Sequence, residues 1–228
     1  MKKVFLIFGV IFLCFSCGNI DMAKKYPNMV ADLDPFSVGN LDLSFDQFFS
    51  SKVKPNNVNI MFYPRENLVA LEFRYELIRY RQFWDQNARK GFIAAVKQYK
   101  EDFDAKKLIT KFNKSRSAYG KVQGFVEWET FKFTSTYNAS PLMELGYRFR
   151  GESPYFCVLQ RSAREESGIN SGANLESKQI NIYYTKAQSD RLAEIFDQNY
   201  LLEMAGVIKT WEDEPVSVQQ SKPSGDVY

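Results

Sequence analysis

The sequence is most restrictive in what it lacks, because none of its 228 residues is a histidine. Without an imidazole the chain cannot assemble a Ser-His-Asp triad, a Cys-His pair, a His-ligated zinc site or a histidine proton shuttle. The phosphate-binding patterns G-x-x-x-x-G-K-[ST] and G-x-G-x-x-G are also absent. These absences exclude the classes of enzyme that depend on such groups, and we expect no metal and no cofactor.

Long hydrophobic runs are missing as well. The longest covers positions 4–16, well short of the roughly 20 residues that a transmembrane helix needs. With 45% hydrophobic and 25% charged residues, the composition is that of one globular domain rather than a disordered chain. The one surplus is aromatic, with 20 Phe and 13 Tyr. It predicts either a Phe-rich core or an aromatic ligand-binding face.

The amino terminus has the order of a secretory leader. Lys2 and Lys3 precede the apolar run, which ends at Ser16 immediately before Cys17. This order resembles the lipobox of bacterial lipoproteins. The three residues before Cys17 depart from the tight form of that motif, which has Leu, a small residue, and Gly or Ala. The loosened form is similar to that of spirochaetes and some other bacteria.

The resemblance implies that residues 1–16 are removed, that the Cys17 thiol is diacylated and that the new amino terminus is acylated. Since each buried methylene contributes about 0.8 kcal/mol, three acyl chains of palmitate length would anchor the protein stably. The resemblance therefore implies a protein tethered in the bacterial cell envelope, with the membrane and leaflet left open. Ordinary signal-peptidase cleavage and an uncleaved short anchor are the alternatives.

Processing changes the charge and the thiol content. Removal of the leader takes away two lysines and Cys14, which leaves cations and anions nearly balanced. The mature chain then has no long-range field to attract nucleic acid, so we expect no nucleic-acid partner. With Cys17 lipidated, Cys157 has no partner for an intrachain disulfide. Its apolar context predicts a buried, inert thiol, with a reactive thiol as the alternative.

The mature chain divides into a tether, one core and a tail. Residues 17–40 are interpreted as the lipidated Cys and a flexible tether, residues 41–211 as a globular domain, and residues 212–228 as a disordered tail. The core patterns predict an α+β single domain. It has a mainly antiparallel sheet of about six strands and two amphipathic helices, in the order β-β-α-β-β-β-β-α.

The strand predictions rest on alternation and on turn residues. Residues 71–77 alternate apolar and charged side chains, and the phase slips at Ile78, which predicts a bulge within one continuous strand. The apolar run that ends at Pro64 is its expected hairpin partner. Further strands are expected over residues 122–133, 143–150, 155–164 and 179–184.

Two helices are predicted from caps and apolar spacing. Asp85 is a suitable N-cap for a helix over residues 86–107. The segment from Thr185 to Gln188 fits a capping box and begins the second helix, whose apolar face continues to Tyr200.

A pair of carboxylates is the strongest candidate for chemistry. Glu127 and Glu129 flank Trp128 and share one face of a strand, about 7 Å apart, because side chains repeat every second residue. That separation would suit the acid and base of an inverting glycosidase. A solvated strand face balanced by nearby lysines is the favoured alternative, since a pair on one strand rarely straddles a scissile bond.

A second candidate is a binding surface on the sheet. Trp128 and several arginines occupy strand positions that a helix need not cover; these are Arg74, Arg79, Arg81, Arg148 and Arg150. We expect a non-catalytic binding or assembly module that meets an envelope protein, a glycan or a lipid. The alternative is a histidine-free envelope hydrolase that uses Glu127 and Glu129.

Overall fold

The computed structural model describes residues 25–47, 50–110, 115–129, 136–166 and 175–207. The leader at residues 1–16, Cys17 and the tail at residues 212–228 lie outside these ranges. Among the helices in the described ranges, none is long and apolar enough to cross a membrane.

The described residues form twelve strands, three α-helices and one short 3-10 turn at Ser115–Ser117. The strands are β1 (Phe36–Gln47), β2 (Ser50–Tyr63), β3 (Leu68–Tyr75), β4 (Ile78–Trp84), β5 (Gly120–Gln123), β6 (Phe125–Glu129), β7 (Thr136–Ala139), β8 (Leu142–Arg150), β9 (Ser153–Gln160), β10 (Ala163–Arg164), β11 (Glu176–Ser177) and β12 (Ile180–Tyr184). The helices are α1 (Gln86–Asp104), α2 (Lys186–Phe196) and α3 (Gln198–Met204).

Ten of these strands form one antiparallel sheet in the order β5-β8-β9-β12-β1-β2-β3-β4-β6-β7, and β10 pairs with β11 separately. The expected class, a single domain that combines helices with a mainly antiparallel sheet, is confirmed. The expected count of about six strands is wrong, because the sheet has ten strands within the described residues.

The prediction that β3 and β4 form a single bulged strand is wrong. Tyr75 pairs with Ile78, so the phase slip marks a two-residue turn and not a bulge. Glu76 takes φ 57° there, and Leu77 is 81% exposed. Neither residue is one that a tight turn favours, since Gly, Asn and Asp dominate positions with positive φ. The sequence therefore gave no signal that the chain reverses.

The prediction of one strand over residues 122–133 is also wrong. Gly124 separates β5 from β6, and these two strands lie near opposite ends of the sheet order. One residue can join them only if the two ends of the sheet approach each other, so the sheet is curled. The Gly124 amide donates to the Pro141 carbonyl at 3.0 Å. Across the interior, Gln82 Nε2 donates to Gln160 Oε1 at 2.9 Å.

The central strand β1 was not predicted, and it begins inside the segment interpreted as tether at residues 17–40. It pairs with β2 on one side and β12 on the other. The chain just before it also contacts the domain. The Val30 amide donates to the Pro64 carbonyl at 2.8 Å, and Arg65 Nε lies 2.6 Å from Asp32 Oδ1. The ordered domain therefore starts earlier in the chain than the pattern suggested.

The helix starts were predicted correctly. Asp85 caps α1 by accepting a hydrogen bond from the Ala88 amide at 2.7 Å. Thr185 and Gln188 form the reciprocal capping box of α2. The helical pattern that was expected to continue to Tyr200 instead breaks at Asp197, whose side chain caps α3. These starts are local in sequence, which is why the pattern identified them.

The core lies between the inner face of the curled sheet and the helices. Phe92 of α1 is fully buried, and its ring centroid lies 5.0–5.9 Å from those of Trp84, Phe156, Tyr184 and Phe196. Burying a side chain of this size contributes about 1.5–3 kcal/mol. Much of the aromatic surplus is thus used to fix the helices on the sheet.

Candidate functional site

The candidate site lies on the side of the sheet that faces away from the core, here called the outer face. Successive side chains on a strand point to opposite faces, so β3, β4 and β6 each place alternate residues there. The charged residues of this face are Glu72, Arg74, Arg79, Arg81, Glu127 and Glu129. Five of the residues singled out from the sequence are therefore brought together, namely Arg74, Arg79, Arg81, Glu127 and Glu129.

A first row of side chains crosses four strands at one level. Asn59 opposes Glu72, Glu72 opposes Arg81, and Arg81 opposes Glu127. Directly opposite side chains in an antiparallel pair interact because their Cβ atoms are about 5 Å apart. Asn59 Nδ2 donates to Glu72 Oε2 at 3.2 Å. The row therefore alternates amide, carboxylate, guanidinium and carboxylate.

A second row lies two residues further along the same strands. Arg79 is opposite Arg74 on one side and Glu129 on the other. Arg79 Nη1 is 3.7 Å from Glu129 Oε2. Arg81 Nη2 joins the two rows, since it lies 3.2 Å from Glu127 Oε2 and 3.5 Å from Glu129 Oε1. Both carboxylates of the expected catalytic pair are thus acceptors of one guanidinium.

An apolar row borders the charged ones. Met61, Ala70, Phe83 and Phe125 stand opposite one another across β2, β3, β4 and β6. The rings of Phe83 and Phe125 are 5.7 Å apart, and Phe125 is 36% exposed. Tyr63 packs on Phe83 at 5.5 Å, and partial burial raises the pKa of the Tyr63 hydroxyl, against the lowering effect of its hydrogen bond with Arg81.

The charged rows and the polar side chains of β2 enclose an open groove of about 510 Å³. Asn56, Asn57 and Asn59 line one side, and Arg79 and Glu129 line the other. The Arg79 side chain is 59% exposed and that of Glu129 is 36% exposed. This volume falls within the range of small-molecule sites.

Arg148 and Arg150 do not join this groove but form a separate cluster. Both donate to the Tyr183 hydroxyl, at 3.0 Å from Arg148 and 2.5 Å from Arg150. The Tyr183 hydroxyl donates to Asp46 Oδ2 at 2.9 Å, and Asn181 Nδ2 donates to the same oxygen at 2.7 Å. Burial raises the pKa of Tyr183. This polar cluster ties β1, β8 and β12 together.

Two other residues singled out from the sequence are buried. Trp128 lies on the inner face, 3% exposed and packed on Tyr137 with ring centroids 5.8 Å apart. It therefore does not share a surface with the arginines, because it alternates with Glu127 and Glu129 along β6. Cys157 is fully buried as predicted, and burial raises the pKa of its thiol to about 12.

Two members of the first row, Asn59 and Glu72, were not predicted as site residues from the sequence. Their signal is their phase, since each is polar within an alternating strand and lies two residues from another outer-face residue. The cross-strand neighbours of these two residues could not be predicted from the sequence, because the register between β2, β3, β4 and β6 is set by the whole sheet. Within the described ranges, no group of three or more acidic or cysteine side chains is placed to hold a metal ion.

Comparison with known proteins gives a family. No curated protein and no solved structure matches the sequence. The sequence profile of a family described as "Uncharacterised Treponema protein" matches residues 36–203, from the first residue of β1 into α3. The match is consistent with a spirochaete protein. Because it covers most of the chain, the protein belongs to this Treponema family.

Proposed function

We propose that this protein is a lipid-tethered binding module of the cell envelope, and that its outer-face groove contacts the ligand. The observation that carries the proposal is the cross-strand array of planar polar groups around Arg81, exposed beside the Phe125 ring. An array of this kind offers donors and acceptors at fixed spacing on rigid strands, which favours recognition.

The same geometry favours binding over hydrolysis. A glycosidase needs one protonated carboxyl group and one carboxylate on opposite sides of the scissile bond. Glu127 and Glu129 project from one strand on one side, and Arg81 contacts both of them. They are thus placed as acceptors within a ladder of ion pairs.

The position of the groove also suits a tethered module. The chain enters the sheet at Phe36, which pairs with Phe62 on β2. Asn56 in the groove lies six residues before Phe62, about 20 Å along the strand. The groove therefore extends along β2 away from the end at which the described chain enters the sheet.

The tether is tested by labelling cells with radioactive palmitate. We expect the wild-type protein to incorporate label and to sediment with membranes, and Cys17→Ala to do neither, because the acyl chains supply the anchoring energy. Cys157→Ala is the matched control and should retain label, since its thiol is buried. Label that persists in Cys17→Ala contradicts lipidation at this residue.

The groove is tested by capturing the full-length protein from envelopes in mild detergent and measuring the envelope component that it retains. We expect Arg79→Ala/Arg81→Ala to retain at least about tenfold less of an envelope component than the wild type, since losing two guanidinium groups that a bound ligand would cover costs more than 1.4 kcal/mol. The domain should stay folded, because surface ion pairs contribute about 0–1 kcal/mol each.

The matched control is Arg191→Ala, which removes an exposed, ion-paired arginine from α2. It should leave retention unchanged. Equal retention by the double variant and the wild type argues against the groove as the binding surface.

A further inference from the structure

We propose that the outer-face groove recognises a neutral carbohydrate. This assignment rests on the proposed binding function and names the class of ligand for the same site. The evidence consists of three features of the outer face around the groove: the balance of charge in its two rows, their mixture of donors and acceptors, and the apolar row beside them.

The charges of the two rows balance, which disfavours a strongly charged ligand. The two charged rows contain three arginines and three glutamates; these are Arg74, Arg79, Arg81, Glu72, Glu127 and Glu129. A phosphate or carboxylate that approached Arg79 or Arg81 would also meet the carboxylate paired with that guanidinium, and a cation would meet the reverse. An uncharged ligand has no such conflict, so charge complementarity favours it.

The mixture of donors and acceptors suits hydroxyl groups. A guanidinium only donates and a carboxylate only accepts, whereas a sugar hydroxyl does both. Arg81 and Glu127 stand opposite each other with 3.2 Å between Nη2 and Oε2, and Asn59 and Glu72 repeat the pairing at 3.2 Å. Adjacent hydroxyls of one ring could therefore accept from the guanidinium and donate to the carboxylate. Charge-assisted bonds of this kind are the strong ones.

The apolar row supplies the remaining contact. Phe125 lies two residues before Glu127 on the same face of β6, about 7 Å away. Its ring is 36% exposed and packs on Phe83. A sugar ring has polar edges and C–H faces, so an exposed aromatic ring beside a polar row complements both. The geometry thus places hydroxyl partners and the exposed Phe125 ring on the same face of β6.

The assignment is tested by calorimetry on the full-length lipidated protein in nanodiscs. The neutral probes are chitotetraose and maltotetraose, and the anionic probe is tetragalacturonate. We expect at least one neutral probe to bind with a Kd below about 1 mM, with little change between 50 and 500 mM salt, because no net charge is neutralised. Tetragalacturonate should bind more weakly than that probe.

Variants locate the site. We expect Arg81→Ala to weaken the neutral probe at least tenfold and Glu72→Gln to weaken it several-fold, with Arg191→Ala unchanged. Circular dichroism identifies any variant that fails to fold, and Glu72→Gln keeps the shape of the side chain, so the test survives a misfolded Arg81→Ala.

Three results would overturn the assignment: no heat with either neutral probe, tighter binding of tetragalacturonate, or equal affinity in folded Arg81→Ala and Glu72→Gln. None of these results decides whether the groove binds a ligand at all, because the capture experiment tests that function separately. If envelope material is still lost from Arg79→Ala/Arg81→Ala, the groove binds a ligand of another class. If it is retained, the proposed function fails as well.

Discussion

Gly146→Ala is expected to lower the free energy of unfolding by about 3 kcal/mol or more, because a side chain there has no space. Gly146 on β8 lies opposite Cys157 on β9, and the 3-10 turn at Ser115–Ser117 crosses directly over it. A Cβ atom would overlap the Ser115 carbonyl oxygen and lie 2.5 Å from the carbonyl carbon of Arg116. These are backbone atoms, so a rotamer change cannot relieve the contact. Urea denaturation measures the loss.

Gly151→Ala is the matched control for that substitution. Gly151 has φ +62° in the turn between β8 and β9, and nothing lies within 4 Å of its Cβ position. Its cost should come from backbone conformation alone, about 1 kcal/mol. A loss for Gly146→Ala no larger than that for Gly151→Ala would mean that the 3-10 turn does not pack on β8 as described.

Arg89→Met should lower the free energy of unfolding by about 3 kcal/mol. Arg89 is 1% exposed in α1, and its guanidinium donates to oxygens on three separate elements. Nη1 donates to the Asn67 carbonyl at 2.8 Å and to the Trp84 carbonyl at 3.2 Å. Nη2 donates to Asn67 Oδ1 at 2.9 Å and to Gln198 Oε1 at 2.7 Å. A methionine would remove the donor from both Asn67 oxygens and from the Trp84 carbonyl, and Gln198 Oε1 would keep only the 3.4 Å hydrogen bond from Gln86 Nε2.

Two further variants complete this test by thermal and urea denaturation. Arg89→Lys should recover part of the loss, because one ammonium cannot reach all four oxygens at once. Arg191→Met removes an exposed arginine paired with Glu194 and should cost less than about 1 kcal/mol. Burial lowers the pKa of Arg89 to about 10, so the guanidinium is still charged at neutral pH. Equal stability of Arg89→Met and the wild type would contradict the described bonding.

Arg89 also illustrates what the sequence could have revealed. It precedes Phe92 by three residues and therefore lies in phase with the apolar side of α1. A charged side chain on an otherwise apolar face is a signal of a buried, hydrogen-bonded group. Its acceptors could not be found in this way, because Asn67 and Gln198 come from turns and helices that only the folded chain brings together.

The fold was predictable where its determinants are local. Asp85, Thr185 and Gln188 define helix starts through contacts three residues apart, and alternation identified β3. The strand count failed in part where one or two residues redirect the chain, at Glu76 and Leu77 and at Gly124. A single positive φ or a single glycine is too small a signal to separate a turn from a bulge.

In the candidate site, too, the local features were predictable and the long-range contacts were not. Arg79, Arg81, Glu127 and Glu129 were all identified from alternation, yet their pairing was not. β4 and β6 are separated in sequence by α1 and by β5, so their register follows from sheet assembly and not from local pattern. For the same reason Arg148 and Arg150 were grouped with the other arginines, although β8 and β4 lie apart in the sheet.

The central claim is that a ligand covers the outer face when the protein is in its envelope. Modification of arginines by phenylglyoxal, followed by mass spectrometry, tests this without knowledge of the ligand. The side chains of Arg79 and Arg191 are 59% and 42% exposed, so both should react in the purified protein. In isolated envelopes we predict that Arg79 reacts at least about threefold more slowly while Arg191 is unchanged, since a bound ligand removes solvent access from the groove alone. An Arg79 to Arg191 ratio that is the same in both preparations would contradict the claim.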